Sequence, residues 1–245
     1  MIELKKKPQN PIIIGGFPGF GLVGTIATEF LIDHLKTKLI GKIFLSDMPA
    51  MVAIHEGQVV EPIGIYYNEK NNIVIVHGIN SVVGSEWKII EDITKMAKDM
   101  KAKEIISLEG VAGGLDKEGE SVEIDENFKS RTFCYSSKDA SKEKLKKAEC
   151  DELKEGIIMG VTGAIILKIE DIPKTAIFAE THSNLPDSKA AAKVIEVLDK
   201  YLGLKVDYEP LLEQAEKFEK KLRSLFQQTK KTQKATEEKQ LSYVG

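Results

Sequence analysis

Residues 11–24, Pro11-Ile-Ile-Ile-Gly-Gly-Phe-Pro-Gly-Phe-Gly-Leu-Val-Gly24, carry the turn on which the fold reading rests. The apolar run Pro11–Gly15 reads as a short buried strand stopped by glycines. The next stretch, Leu22 to Leu35, reads as a helix. Its apolar residues Leu22, Val23, Ile26, Ala27, Phe30, Leu31 and Leu35 recur at the three-and-four spacing of a buried stripe. Inside the turn, Gly19-Phe-Gly21-Leu-Val-Gly24 spells GxGxxG, the spacing of a dinucleotide-binding loop. Such glycines let a pyrophosphate approach the positive end of a helix. Asp47, 23 residues after Gly24, stands where a ribose-binding acid is expected. Against this, Pro18 restricts Phe17 and stiffens the turn, and Phe17 and Phe20 crowd the space a cofactor needs. A tight helix-on-strand turn needs the same glycines. That is the reading adopted, and no cofactor is expected.

Working outward, Leu39–Leu45, Val52–Ile54, Gln58–Tyr67 and Ile73–His77 read as strands, the last two joined as a hairpin by the polar turn Asn68–Asn72. Ser85–Lys101 reads as a helix with Trp87, Ile90, Ile93, Met96, Ala97 and Met100 on its apolar face and Ser85 as its cap. Glu104–Leu108 returns as a strand and Gly110–Gly119 as a glycine-rich loop. Arg131–Tyr135 reads as a strand, Ser141–Ala148 as a short charged helix and Val161–Lys168 as a helix. Thr175–Glu180 is a strand, and Ser188–Leu202 is a helix entered through Pro186-Asp187. Strands alternating with helices predict an α/β sandwich with a parallel or mixed sheet, over residues 1–206.

The composition removes several function classes. With 35 Lys+Arg against 38 Asp+Glu among 245 residues, the chain lacks the basic excess of a nucleic-acid binder. No stretch of about 18 uncharged apolar residues exists to cross a membrane. The apolar run Ile12–Ile14 is too short for a signal-peptide core, so a cytoplasmic protein is expected. Cys134 and Cys150 have no metal-ligand spacing and read as reduced thiols.

Three polar stretches are candidates for chemistry. In Glu180-Thr-His182-Ser-Asn-Leu-Pro186-Asp187, His182 with Glu180 or Asp187 has the makings of an acid/base pair or part of a metal site. Loop closure and capping of the next helix by Asp187 or Ser188 account for the same residues. His55 beside Glu56, and His77, are partners only if the fold brings them near. Glu109-Gly-Val-Ala-Gly-Gly114 is an anion-binding loop or a plain connection. The bland reading is taken at each, so no catalytic residue and no metal ligand is expected.

The C-terminal part differs. In residues 207–229, Leu211, Ala215, Phe218, Leu222 and Leu225 alternate four and three apart, a narrow seam like positions a and d of a coiled coil. This amphipathic helix lies either on its own domain or between subunits; in the second case those five residues are the oligomer contacts. From Gln227 to Gln240 the chain is polar, and as a flexible tether those 14 residues span about 20 Å. Residues 230–245 therefore form a polar tether ending in the apolar tip Leu241-Ser-Tyr-Val-Gly245. An apolar tip on a polar tether suggests a docking peptide.

These blocks, in order, resemble the proteasome assembly chaperone family in its archaeal branch. The resemblance is carried by Gly16-Phe-Pro-Gly-Phe-Gly-Leu-Val-Gly24, Glu109-Gly110, Gly160-Val-Thr-Gly-Ala164, Ala179-Glu-Thr-His182, Leu185–Ala192, Leu204–Asp207 and Leu211–Ala215. It implies a three-layer α/β sandwich like that of nucleoside phosphorylases. It also implies a homo-oligomer that binds α subunits of the proteasome core particle. Some members dock through a hydrophobic-Tyr-X tail; here Leu241, Tyr243, Val244 and the carboxylate of Gly245 would make that contact, although Tyr243 is third from the end rather than penultimate. The expectation is an assembly chaperone or core-particle activator rather than an enzyme. The alternative is an enzyme acting on a nucleoside- or nucleotide-like ligand through the Gly16–Gly24 and Glu180–Asp187 loops.

Overall fold

The computed structural model describes residues 1–45, 53–55, 57–79, 84–112, 131–181 and 186–213. The strands are β1 (Ile2–Leu4), β2 (Ile12–Gly16), β3 (Lys38–Ile43), β4 (Ala53–His55), β5 (Gln58–Val60), β6 (Ile63–Asn68), β7 (Ile73–Gly78), β8 (Glu104–Ala112), β9 (Thr132–Ser136), β10 (Asp151–Glu152) and β11 (Lys174–Thr181). The helices are α1 (Val23–His34), α2 (Glu86–Asp99), α3 (Asp139–Lys147), α4 (Gly160–Lys168) and α5 (Ser188–Leu202).

Among the described residues, nine strands form one sheet in the order β1-β3-β6-β7-β2-β8-β11-β9-β10, and β4 and β5 pair as a separate hairpin. The centre, β7-β2-β8-β11, is parallel. Antiparallel partners flank it: β6 on β7, β3 on β6, β1 on β3, and β9 on β11. A parallel strand covered on both faces has no polar side, and β2 shows why its sequence is apolar throughout. Ile14 faces a core shared with Val23, Ala27 and Leu31 of α1 and with Ala191, Val194 and Leu198 of α5. Ile13 faces the opposite core, with Ile90, Ile93 and Met96 of α2 and with Val161 and Ile165 of α4. The molecule is thus a three-layer α/β/α sandwich.

The hairpin expected at residues 68–72 is present, with Asn68 opposite Ile73. Asn68 builds it, its Oδ1 accepting from the Asn71 amide at 2.8 Å while Nδ2 donates to the Leu35 carbonyl at 2.6 Å. Helix α5 has the expected limits. Asp187 caps it, with Oδ1 accepting from the Ala190 amide at 2.9 Å.

Several expectations are corrected. Gly110–Ala112 is strand, not loop, because β8 runs on to pair with Ala179–Thr181 of β11. Trp87 is 55% exposed; the buried stripe of α2 is Ile89, Ile90, Ile93, Met96 and Ala97. Ser85 precedes α2 without a side-chain capping bond. Gln58–Tyr67 is two strands, β5 and β6, which pair with different partners. The short strands β1 and β10 carry little sequence signal, since each is held by a sheet edge rather than by its own pattern.

At the amino ends of β8 and β11 lies a buried polar network. Thr175 and Tyr201 donate to Glu104 at 2.6 and 2.9 Å, and Ser141 lies 2.8 Å from the Tyr201 hydroxyl. Burial in this network pushes the Tyr201 phenol up to about 12.

Past α5, residues 209–213 are helical, and Leu211 is buried in the same core as α5 and α1. The first residue of the expected seam thus packs within its own protomer. Ala215, Phe218, Leu222 and Leu225 lie outside the described residues, as do Leu241, Tyr243, Val244 and Gly245.

Candidate functional site

In a parallel sheet, the place for a ligand is the crevice beyond the strand ends where the winding reverses. Here that point is the carboxyl end of β2. The chain leaves β2 for α1 on one face of the sheet, and leaves β7 for α2 on the other. The turn between β2 and α1 lies at this place. Phe17 is buried, and its ring closes over Gly78 at the end of β7, where an added Cβ would come within 2.7 Å of it.

The glycines are explained by the approaches they permit. A Cβ on Gly16 would stand 2.1 Å from the Gly24 carbonyl oxygen, and one on Gly24 would stand 2.2 Å from the Leu108 carbonyl oxygen. Helix α1 therefore sits directly on β2 and β8. Gly21 has φ 60°, the left-handed region natural to glycine, with Thr181 Oγ1 2.5 Å from where a Cβ would be. These contacts are those of a structural turn.

Two loops that are distant in sequence meet here. The Asp187 amide donates to the Gly21 carbonyl at 2.8 Å, and Thr181 Oγ1 donates to Asp187 Oδ2 at 2.8 Å. Asp187 is thereby committed to capping α5 and to joining the loops. Glu180 is buried, and its carboxylate takes a two-pronged contact from Arg131, at 3.0 Å from Nε and 2.6 Å from Nη2. His182 lies outside the described residues. Among the described residues, no three His, Cys, Asp or Glu side chains converge as a metal site.

His77 is buried beside Thr28, its Nδ1 2.8 Å from the Thr28 hydroxyl. With that hydroxyl donating to the Gly24 carbonyl at 2.8 Å, the Nδ1–H tautomer completes the pair. Burial lowers the His77 pKa to about 4 and holds the ring neutral. Its role is to tie β7 to α1.

Glu109 is visible in the sequence only as the head of a glycine-rich stretch and of the Glu109-Gly110 block, with nothing to show what its side chain meets. Its carboxylate lies against the turn, 2.8 Å from where a Cβ on Gly19 would be. Thr162 of α4 meets Ser107 of β8 at 2.6 Å. Loss of water pushes Glu109 up to about 7. A carboxyl that gains or loses its proton near neutrality has the means for acid/base chemistry.

The two shifts have opposite signs in stability. For His77, the unfolded chain binds the extra proton between pH 6.5 and about 4, so its contribution is full above pH 6.5 and is lost on acidification through that window. For Glu109, the native state holds the extra proton between pH 4.5 and about 7, so stability is lost as pH rises through it. We expect Glu109→Gln to match the wild type near pH 4 and to gain roughly 2 kcal/mol by pH 8. That figure is the ~3 kcal/mol represented by the shift, trimmed because Glu109 keeps some exposed surface. Urea unfolding at the two pH values measures it, and a pH-independent difference would contradict it.

The fold is a three-layer α/β sandwich with a tight glycine turn at the carboxyl end of β2. Residues 13–226 match the model of the PAC2 family. The chain belongs to the PAC2 family. It is 30% identical over 225 residues to the uncharacterised protein MJ0106 of Methanocaldococcus jannaschii, covering 90% of this chain and 87% of that protein. Its structure is similar to that of Pyrococcus furiosus PbaA, described as an archaeal homologue of proteasome-assembly chaperone. The TM-score is 0.80, with 31% identity and 97% of each chain covered. It also shares the fold of Pyrococcus furiosus PbaB, described as an archaeal proteasome activator, with a TM-score of 0.75, 24% identity, and 92% of this chain and 98% of that one covered.

Proposed function

We propose that the protein is a proteasome-binding factor, an assembly chaperone or activator of the core particle that acts by contact and not by catalysis. The observation that carries this is the likeness to PbaA along nearly the whole of both chains. The mechanism needs only differential binding: a factor that holds α subunits better in one arrangement than another shifts them toward it. A cytoplasmic setting follows from that partner; among the described residues no helix is long and apolar enough to cross a membrane. Capture of core particles, or of free α subunits, from a mixture of purified components tests the reading. Retention of neither would end it.

The reading includes a homo-oligomer. On the layer of α2 and α4 the domain leaves Trp87, Ile157, Met159 and Leu167 more than half exposed, which is the kind of surface subunits cover. The sequence seam adds Ala215, Phe218, Leu222 and Leu225, with Leu211 serving its own protomer. Light scattering at micromolar concentration is expected to show two subunits or more. Leu222→Asp is expected to shift the population toward monomer, because an unpaired charge is costly to bury. A monomeric wild type would refute this.

A further inference from the structure

Cys134 and Cys150 lie 16 positions apart in sequence. The fold places one in β9 and the other just before β10, the last two strands of the sheet. Both are buried. Cys134 Sγ also lies 3.7 Å from the Cys150 carbonyl oxygen. The pair is not sealed. Both cysteines line a cavity of about 280 Å³ whose other walls are Ser136, Lys142, Glu143, Lys146, Asp151 and Glu152. A reagent entering this cavity meets two cysteines in one wall.

We propose that Cys134 and Cys150 form a redox modification site, a dithiol that closes to an intramolecular disulfide when a small disulfide reagent enters the cavity. The Cys134 thiolate attacks one sulfur of the reagent. The reagent's S–S bond breaks, and one of its thiols leaves carrying the proton released from Cys134. Cys150 then loses its proton and attacks Cys134 Sγ in the mixed disulfide, and the reagent's second thiol leaves carrying that proton. The protein loses two electrons and two protons, and the reagent gains both. The order of attack follows from the pairing. The side chain of Cys150 lowers the pKa of Cys134, and that of Cys134 raises the pKa of Cys150. Closure needs the two sulfurs to come to bonding distance. The bond would staple α3 to the sheet edge, because that helix lies wholly between the two cysteines.

The test uses the native full-length chain with oxidised glutathione as the probe, followed by intact mass and thiol titration. The expected result is loss of two hydrogen masses, loss of both titratable thiols, and a melting temperature raised by a few degrees, all reversed by dithiothreitol. Cys150→Ser is expected to stop at the glutathione adduct on Cys134, and Cys134→Ser to remain unmodified under the same conditions. Two outcomes would overturn the proposal. One is a wild-type protein whose two thiols persist while the urea-unfolded chain oxidises. The other is a wild-type adduct that never resolves to the internal bond.

Discussion

Removal of Leu241–Gly245 is expected to leave the melting temperature and the oligomer size unchanged and to weaken binding to the assembled core particle at least tenfold, about 1.4 kcal/mol. The described domain accounts for the first half of this expectation. Among the described residues, the two cores close on buried side chains no later than Leu211. The second half rests on the tip's chemistry. Leu241, Tyr243 and Val244 are apolar residues set beyond a run, Gln227–Gln240, that holds Lys230, Lys231, Lys234, Glu237, Glu238 and Lys239. An aromatic ring with a polar end is a favoured anchor in a partner's pocket, so Tyr243→Ala is expected to produce most of the loss. Several tips on one oligomer raise the effective concentration at neighbouring sites, so a weak single contact suffices. Surface plasmon resonance of full-length and shortened protein measures the ratio. Equal affinities would move the binding surface onto the globular domain, where the exposed residues of the α2–α4 layer would be the next to test.

Gly16→Ala is expected to destabilise the domain by at least ~3 kcal/mol, the scale of strong overpacking in a core. The added methyl would meet the Gly24 carbonyl oxygen at 2.1 Å and the Thr28 side chain at 2.5 Å. A backbone oxygen cannot swing aside like the end of a long side chain. Helix α1 would have to lift from the sheet, taking with it the Thr28–His77 bond and the contacts of Val23, Ala27 and Leu31 with Ile14. Gly84→Ala is the control, since nothing lies within 4 Å of a Cβ there. Its own left-handed φ of 85° is expected to cost about 1 kcal/mol. Denaturant unfolding of the two variants separates close approach from backbone strain. A Gly16→Ala protein as stable as the wild type would show that the turn is not a tight joint between α1 and the sheet.

Much of the fold was legible because each central strand is a short apolar run bounded by turn residues, and each long helix repeats its buried positions at helical spacing. The run Ile12–Ile14, the stripe Ile90, Ile93, Met96 and Ala97, and the Asp187 cap are local patterns, and local physics decides them. The elements misread are those that a neighbouring strand decides. Gly110–Ala112 has the composition of a loop, yet β11 offers it a partner and it extends. Trp87 reads as core, but it falls off the buried stripe at the first turn of α2.

The site divides in the same way. The sequence by itself determined that GxGxxG needs glycines and that Phe17 stands inside the turn, whereas Phe20 is 40% exposed. Only the tertiary structure decided what the glycines accommodate, because a clash between Gly16 and Gly24, or between Gly24 and Leu108, depends on how closely a helix lies on a sheet. Glu109 against Gly19, His77 against Thr28, and the Cys134–Cys150 contact depend on strands brought side by side from distant parts of the chain. Spacing along a sequence does not encode such contacts, since the sheet order follows from burying both faces of β2, β7, β8 and β11 at once.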